Sequence, residues 1–143
     1  MDVEIHRVTL DSLALLERVS PECFDAPIVP RRAAACVASP DTILLVATVQ
    51  RPEGSYVVGQ LLGMLHRHPD KATELYLDDL GVDPDFRRNG IARRLIDAAQ
   101  ALAAKEESEA TWTLAEPDIP AALATYRGLG FAEETAILFL RET

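Results

Sequence analysis

The sequence predicts an α/β fold, one domain over residues 1–143 with helices layered on a mixed sheet. Three observations carry this. Apolar periodicity switches repeatedly between two and 3.6 residues along the chain. Strand-like runs occur both as hairpin neighbours and separated by helical segments, which calls for antiparallel and parallel pairing together. No repeat, low-complexity tract or linker interrupts the 143 residues, about the length of one domain with one core.

The elements follow in order. Residues 3–8, Val-Glu-Ile-His-Arg-Val, alternate as a half-buried strand does. Thr9 or Asp11 offers a helix cap, Leu10, Leu13, Leu16 and Val19 recur at helical spacing, and Pro21 ends the run. A proline-rich loop over 20–30 leads to a short helix over Arg31–Ser39. Thr42–Val49 is a continuous apolar run, read as a buried strand. A turn around Gly54 returns the chain as Tyr56–His66, and Thr73–Val82 is a further strand closed by Asp83-Pro84-Asp85. A long helix starts near Asn89 and runs to about Lys105, with Ile91, Leu95, Ala98, Ala99 and Leu102 as its buried stripe. Ala110–Leu114 is a strand with Trp112 in the core. Asp118 or Pro120 opens a helix that ends at Gly128–Gly130. Phe131 and Ala136–Leu140 form a last strand. The expected order is β-α-α-β-β-β-α-β-α-β.

Composition narrows the function. Fourteen basic against 23 acidic residues give a net charge of −9. Such a chain lacks the positive field that recruits nucleic acid or an anionic membrane, and a cationic small molecule suits it better. No run of 18 apolar residues is present and the acidic N-terminal stretch is no signal peptide, so a cytoplasmic location is expected. Two cysteines, Cys23 and Cys36, make no disulfide framework, and no Cys/His spacing reads as a metal site.

Chemistry concentrates in Leu80-Gly81-Val82-Asp83-Pro84-Asp85-Phe86-Arg87-Arg88-Asn89-Gly90-Ile91-Ala92. A strand ends, a basic loop with one glycine follows, and a helix begins. The first amides of a helix lack intrahelical partners and carry partial positive charge. Gly90 lets a phosphate approach the backbone, and Arg87 and Arg88 add charge to an otherwise acidic chain. On these residues alone the segment reads equally as a solvated arginine pair at a helix start. It is neither a P-loop nor a dinucleotide fingerprint.

Arg87-Arg88-Asn89-Gly90-Ile91-Ala92 resembles the Gln/Arg-x-x-Gly-x-Gly/Ala motif of the GCN5-related N-acetyltransferases (GNAT). Leu80-Gly81-Val82-x-Pro84 is similar to that family's fourth strand and its exit, and Ala122-x-x-x-Tyr126-x-x-x-Gly130-Phe131 to its second signature. The likeness covers roughly residues 44–140 and is sharp over 74–95 and 121–131. It implies the GNAT fold: a mixed sheet of six to seven strands flanked by about four helices. It also implies acetyl-CoA as co-substrate, without a metal. Leu80, Gly81 and Val82 would pair with the pantetheine arm. Arg87 and Arg88 would lend charge to the pyrophosphate, and amides of Arg88, Asn89, Gly90, Ile91 and Ala92 would hold it. Tyr126 would act as general acid on the leaving thiolate. Asp118 stands where many relatives carry Asn.

Glu74-Leu75-Tyr76-Leu77-Asp78-Asp79-Leu80-Gly81-Val82 further resembles the fourth strand of the aminoglycoside 3-N-acetyltransferases of that superfamily. This implies a cationic acceptor, the 3-amino group of a 2-deoxystreptamine antibiotic, and a resistance role. Asp79 matches the aspartate facing the amine, whereas Asp78 stands where relatives carry Tyr. Strand alternation puts Leu75, Leu77 and Asp79 on one face, so Asp79 is expected at a cleft rim or partly buried, with the raised pKa that suits a general base. Asp78, Glu116 and Asp118, with Glu22 and Asp25, would surround the acceptor. Rival readings are another amine (a polyamine, an amino-acid derivative or a protein N-terminus) or an acyl-CoA-binding domain without turnover. Dimers are common in the family, and the sequence carries no interface signal of its own.

Overall fold

The computed structural model describes residues 2–143. Five strands form one sheet in the spatial order β1-β2-β3-β4-β5: β1 Glu4–Arg7, β2 Thr42–Arg51, β3 Gly54–His66, β4 Thr73–Val82 and β5 Ser108–Thr113. The first three pairings are antiparallel, and β5 joins β4 in parallel across helix α2, Ile91–Ala104. Helix α1 spans Pro30–Ala38 and α3 spans Pro120–Gly128, each with proline in its first turn, where the missing amide hydrogen costs nothing.

Two apolar layers sandwich the sheet. On one face, Ile43, Leu45, Leu61, Leu75 and Leu77 pack against Ile91, Leu95, Ile96 and Ala99 of α2. On the other, Leu44, Val46 and Val57 pack under Leu16 and Cys23, with Ala33 and Val37 of α1 alongside. The stripe expected for the long helix is its buried face, although Ala98 and Leu102 lie at its half-buried margin.

Three expectations for the elements are corrected. The first helical segment is a 3-10 helix, Leu10–Leu16, kinked at Ser12, whose backbone leaves the helical region at φ −123° and ψ 22° while its Oγ accepts the Thr9 amide in a capping box. The sheet has five strands among the described residues, not six or seven. The missing element is the last strand: residues 131–143 carry no helix or strand, and Ala136–Leu140 find no strand to pair with.

Two bulges shape the centre of the sheet. β2 and β3 pair as Ala47–Gly59 and then Thr48–Val57, which leaves Val58 as an extra residue. β3 and β4 pair as Gly63–Leu77 and then Leu62–Asp79, which leaves Asp78 extra. The first bulge is tied on both sides. Ser20 and Val57 amides donate to Val57 and Arg18 carbonyls, and the Asp83 amide donates to Val58. These bonds fasten the loop after the 3-10 helix and the exit of β4 onto the same stretch of β3.

Candidate active site

The bulge at Asp78 decides which way Asp79 points. Leu75 and Leu77 face α2, and beyond the bulge Leu80 and Val82 pack against that same layer. One extra residue flips the side-chain alternation. Asp79 therefore lies on the opposite face from Leu75 and Leu77, which corrects the face expected from strict alternation.

On that face Asp79 meets a group the sequence reading missed. Gln60, fully buried in β3 at 0% exposure, donates from Nε2 to Asp79 Oδ2 at 2.8 Å and to the Cys23 carbonyl at 3.0 Å. Its Oε1 has no partner in the structure. A buried amide is costly unless hydrogen-bonded, so the available signal was one Gln inside the apolar run Val57–Leu62. Cys23 arrives on the loop fastened to β3, and there is no space between them: a methyl at Gly81 would overlap the Cys23 carbonyl. Gly81 is required here by close backbone approach.

The Asp79 carboxyl is half-buried, and this desolvation raises its pKa. Gln60 opposes the shift, Asp25 adds to it, the Leu80 amide opposes it, and Asp78 adds to it. Asp25, from the loop, and exposed Asp78 thus join Asp79 in one acidic cluster. Glu116 and Asp118 are exposed on the loop between β5 and α3, and neither is among the charges acting on Asp79. A cleft of about 670 Å³ lies between the 3-10 helix, the loop and α1, lined by Leu13, Phe24 and Ile28 among others, with Asp25 on its wall.

Tyr126 of α3 is half-buried, its ring edge-to-face with Phe131 at 5.4 Å. Burial pushes its phenol above the ordinary range, the Thr113 hydroxyl pulls the other way, and the charges of Asp79 and Tyr76 push it up again. The phenol stays protonated at neutral pH and lies within electrostatic reach of Asp79. Cys23 is pushed up to about 11, chiefly by burial, and is no nucleophile at neutral pH. Trp112 is not core: it is 36% exposed and stacks on Tyr76 at 4.4 Å, with His66 at its edge. It sits on the outermost strand, whose far side has nothing packed over it.

Between Asp79 and Tyr126 the sheet opens. β5 pairs with β4 only from Thr73 to Leu77, so Asp78–Val82 keep β3 on one side and have no strand on the other. This leaves a backbone edge of Leu80, Gly81 and Val82 to which an extended amide-bearing chain can add. The gap leads to the start of α2. Gly90 takes the left-handed conformation at φ +70° as N-cap and supplies no capping side chain, so the amides that open α2 point outward uncapped. A Cβ at Gly90 would meet nothing within 4 Å. Arg88 is also left-handed, at φ +66°, while the Asn89 side chain bonds to the Phe86 and Arg87 carbonyls and fixes the turn. Arg87 and Arg88 are exposed beside it, whereas Arg94 is turned away, donating to the Val3 carbonyl. Edge, uncapped amides and guanidinium groups together fit a long thiol ester with a pyrophosphate.

Such a parted sheet above an uncapped helix start fits the class of acyl-CoA-dependent transferases. The sequence profile of the acetyltransferase (GNAT) family matches residues 13–131, and the chain belongs to that family. By class it is an acetyl-CoA-dependent N-acetyltransferase. No curated protein sequence matches it. Among solved structures it is similar to the aminoglycoside acetyltransferase meta-AAC0020 from an uncultured soil metagenomic sample, in complex with sisomicin. The TM-score is 0.80 at 21% identity, covering 99% of this chain and 96% of that one. It is likewise similar to AAC(6')-Iy in complex with the bisubstrate analogue CoA-S-monomethyl-acetylneamine, with a TM-score of 0.80 at 17% identity over 100% and 99% of the chains. A third, the aminoglycoside acetyltransferase HMB0005, also from an uncultured soil metagenomic sample, aligns with a TM-score of 0.78 at 23% identity over both full chains. At these identities the likeness establishes the fold. No group of three or more His, Cys, Asp or Glu among the described residues could hold a metal, and no described helix is long and apolar enough to cross a membrane.

Proposed function

We propose that this enzyme moves an acetyl group from acetyl-CoA to a primary amine of an aminoglycoside by direct transfer. The observation that carries the reading is Asp79: a half-buried carboxylate, held by a buried Gln60 and joined by Asp25 and Asp78, at the point where β4 and β5 part. A negative cluster attracts a polycationic acceptor. The names of the similar structures, bound to sisomicin or to a CoA-acetylneamine conjugate, support the same acceptor class. The aromatic plate of Tyr76 and Trp112 adds an apolar surface on which a sugar ring can lie.

In this mechanism Leu80, Gly81 and Val82 align the pantetheine arm along the free edge of β4. Amides of Arg88–Ala92, with Arg87 and Arg88, hold the pyrophosphate. Asp78 and Asp79 orient the protonated amine, with Glu116 and Asp118 contributing from the loop before α3. Asp79 takes the proton, directly or through one water, and the amine nitrogen attacks the thioester carbonyl. A backbone amide of β4 meets the oxyanion. As the tetrahedral intermediate collapses, the C–S bond breaks and Tyr126 gives its proton to the leaving thiolate, while the second proton shed by the attacking nitrogen passes through water to restore the phenol. The Asp79 proton passes to solvent. No covalent enzyme intermediate is formed.

The fourth-strand pattern favours the 3-amino group of 2-deoxystreptamine; a second reading, the 6'-amine, is favoured by the naming of one similar structure. Thiol release from acetyl-CoA, followed across sisomicin, gentamicin, a polyamine, free amino acids and peptide N-termini, tests the acceptor class. Turnover confined to the aminoglycosides is expected, and NMR of the product separates 3-N from 6'-N. Release with simple amines alone would replace the aminoglycoside reading with another acceptor. No release with any amine, despite acetyl-CoA binding, would favour a non-catalytic acyl-CoA-binding domain.

A further inference from the structure

Thr113 is a half-buried hydroxyl that the transfer mechanism leaves unused. It closes β5 opposite Leu77, at the last position where β5 and β4 pair. Leu77 and Tyr126 both belong to the apolar layer under α2, and Thr113 joins them. Its Oγ1 donates to the Leu77 carbonyl at 2.8 Å. The same hydroxyl is hydrogen-bonded to the Tyr126 phenol. One side chain therefore links the last rung before the sheet parts to the phenol set beside the gap. Threonine suits the position: its branched Cβ fits a strand and restricts χ1, which holds the hydroxyl in place.

A hydroxyl carries one proton and two lone pairs, and the proton rotates to suit its acceptors. With that proton on the Leu77 carbonyl, Oγ1 has only lone pairs to offer Tyr126. The neutral phenol then donates to Thr113, which fixes the direction of its own O–H. Loss of the phenol proton reverses the balance. A phenolate oxygen is a charged acceptor, and hydrogen bonds to charged acceptors are roughly twice as strong as neutral ones. The Thr113 proton then has a better partner in Tyr126 than in a peptide carbonyl.

We infer that Thr113 is a positioning residue for the transfer step, its hydroxyl serving the Leu77 carbonyl while Tyr126 is protonated and the Tyr126 oxygen once it is not. This rests on the general-acid role of Tyr126. As the C–S bond breaks, the phenol O–H bond breaks, an S–H bond forms, and the electron pair stays on the phenol oxygen. Thr113 gives up no proton; it redirects one. The swing matters because, among the described residues, no other side chain acting on the phenol favours the anion. Burial and the charges of Asp79 and Tyr76, both on β4, oppose it, and α2 supplies no cation. Arg127, the next residue of α3, is paired with Glu133 at 2.7 Å.

The test uses the full chain with Thr113→Val, which keeps the branched shape and loses the hydroxyl, and Thr113→Ser, which keeps the hydroxyl. Thr113→Val is expected to lower kcat at least about tenfold, the scale of one hydrogen bond to a charged group, with acetyl-CoA affinity unchanged by calorimetry. Thr113→Ser is expected to recover most of that loss. With ring-fluorinated tyrosine in the chain, fluorine NMR is expected to show the Tyr126 phenol titrating at higher pH in Thr113→Val than in the parent. Tyr56, whose ring lies under Arg51, should not move. On a Tyr126→Phe background, Thr113→Val is expected to lower kcat no further. An unmoved Tyr126 titration, a Ser variant as slow as the Val variant, or the same loss of kcat on the Tyr126→Phe background would each overturn the role of Thr113 while leaving Tyr126 as the acid. Parental turnover in Tyr126→Phe alone would overturn the general-acid reading, and the role of Thr113 with it. If Thr113→Val fails to fold, Thr113→Ala carries the same expectations.

Discussion

Replacing Gln60 by Leu isolates the contact that sets Asp79. Leu fills similar volume in a fully buried position but cannot donate to Asp79 Oδ2 or to the Cys23 carbonyl, bonds of 2.8 and 3.0 Å in the parent. A hydrogen bond to a charged group contributes about 1.5–3 kcal/mol. Asp79 is only half-buried, so the lower end of that range applies. The direction of the pKa change follows from the chemistry. Gln60 lowers the Asp79 pKa, against the larger effect of burial. Without the donor the carboxyl holds its proton to higher pH. In the proposed mechanism Asp79 must be ionised to accept the proton, so activity rises as pH climbs through its pKa, and the acid limb of kcat/KM should move to higher pH. The folded-state pKa of Asp79 is raised, so its contribution to stability is full below the unfolded value and fades as pH rises through the folded one; the variant extends that window upward. Stability should fall by only about 1 kcal/mol, because the orphaned Cys23 carbonyl is partly offset by removing the unpartnered Oε1. The assay is thiol release across pH, with a urea melt alongside. An acid limb within about 0.2 pH units of the parent's would refute the argument that Gln60 tunes the base.

Three other outcomes are expected. Tyr126→Phe should lower kcat on the order of 10²–10⁴-fold while calorimetry shows acetyl-CoA affinity nearly intact, because in the proposed mechanism the phenol acts on the leaving thiolate. Gly81→Ala should cost about 1–3 kcal/mol, since its methyl displaces the Cys23 carbonyl rather than a flexible side chain, and an unchanged melting temperature would show that the loop is not held there. Gly90→Glu should fold with a loss of about 1–2 kcal/mol from the left-handed backbone, its side chain having open space, while acetyl-CoA binding measured by calorimetry drops at least about tenfold; retained binding would move the pyrophosphate site elsewhere.

The sequence by itself determined the family, the core and the left-handed turn that opens α2. Each is written in local chemistry. The continuous apolar run over Thr42–Val49 selects a strand covered on both faces, the 3.6-residue spacing over Ile91–Leu102 a helix covered on one, and the single glycine of Arg87–Ala92 marks a turn that needs left-handed backbone. Local spacing could not decide what depends on register. Asp79 changed face because one extra residue, Asp78, stands in β4 opposite Leu62 and Gly63, and a bulge is a property of two strands together. The same holds for Gln60, which looks like a misplaced polar residue until the loop brings the Cys23 carbonyl to it and the bulge brings Asp79. Trp112 and Ala136–Leu140 show it from the other side. Their composition asks for burial, but a side chain is buried only if something lies across from it, and for the outermost strand that is settled by which strands the chain can bring there.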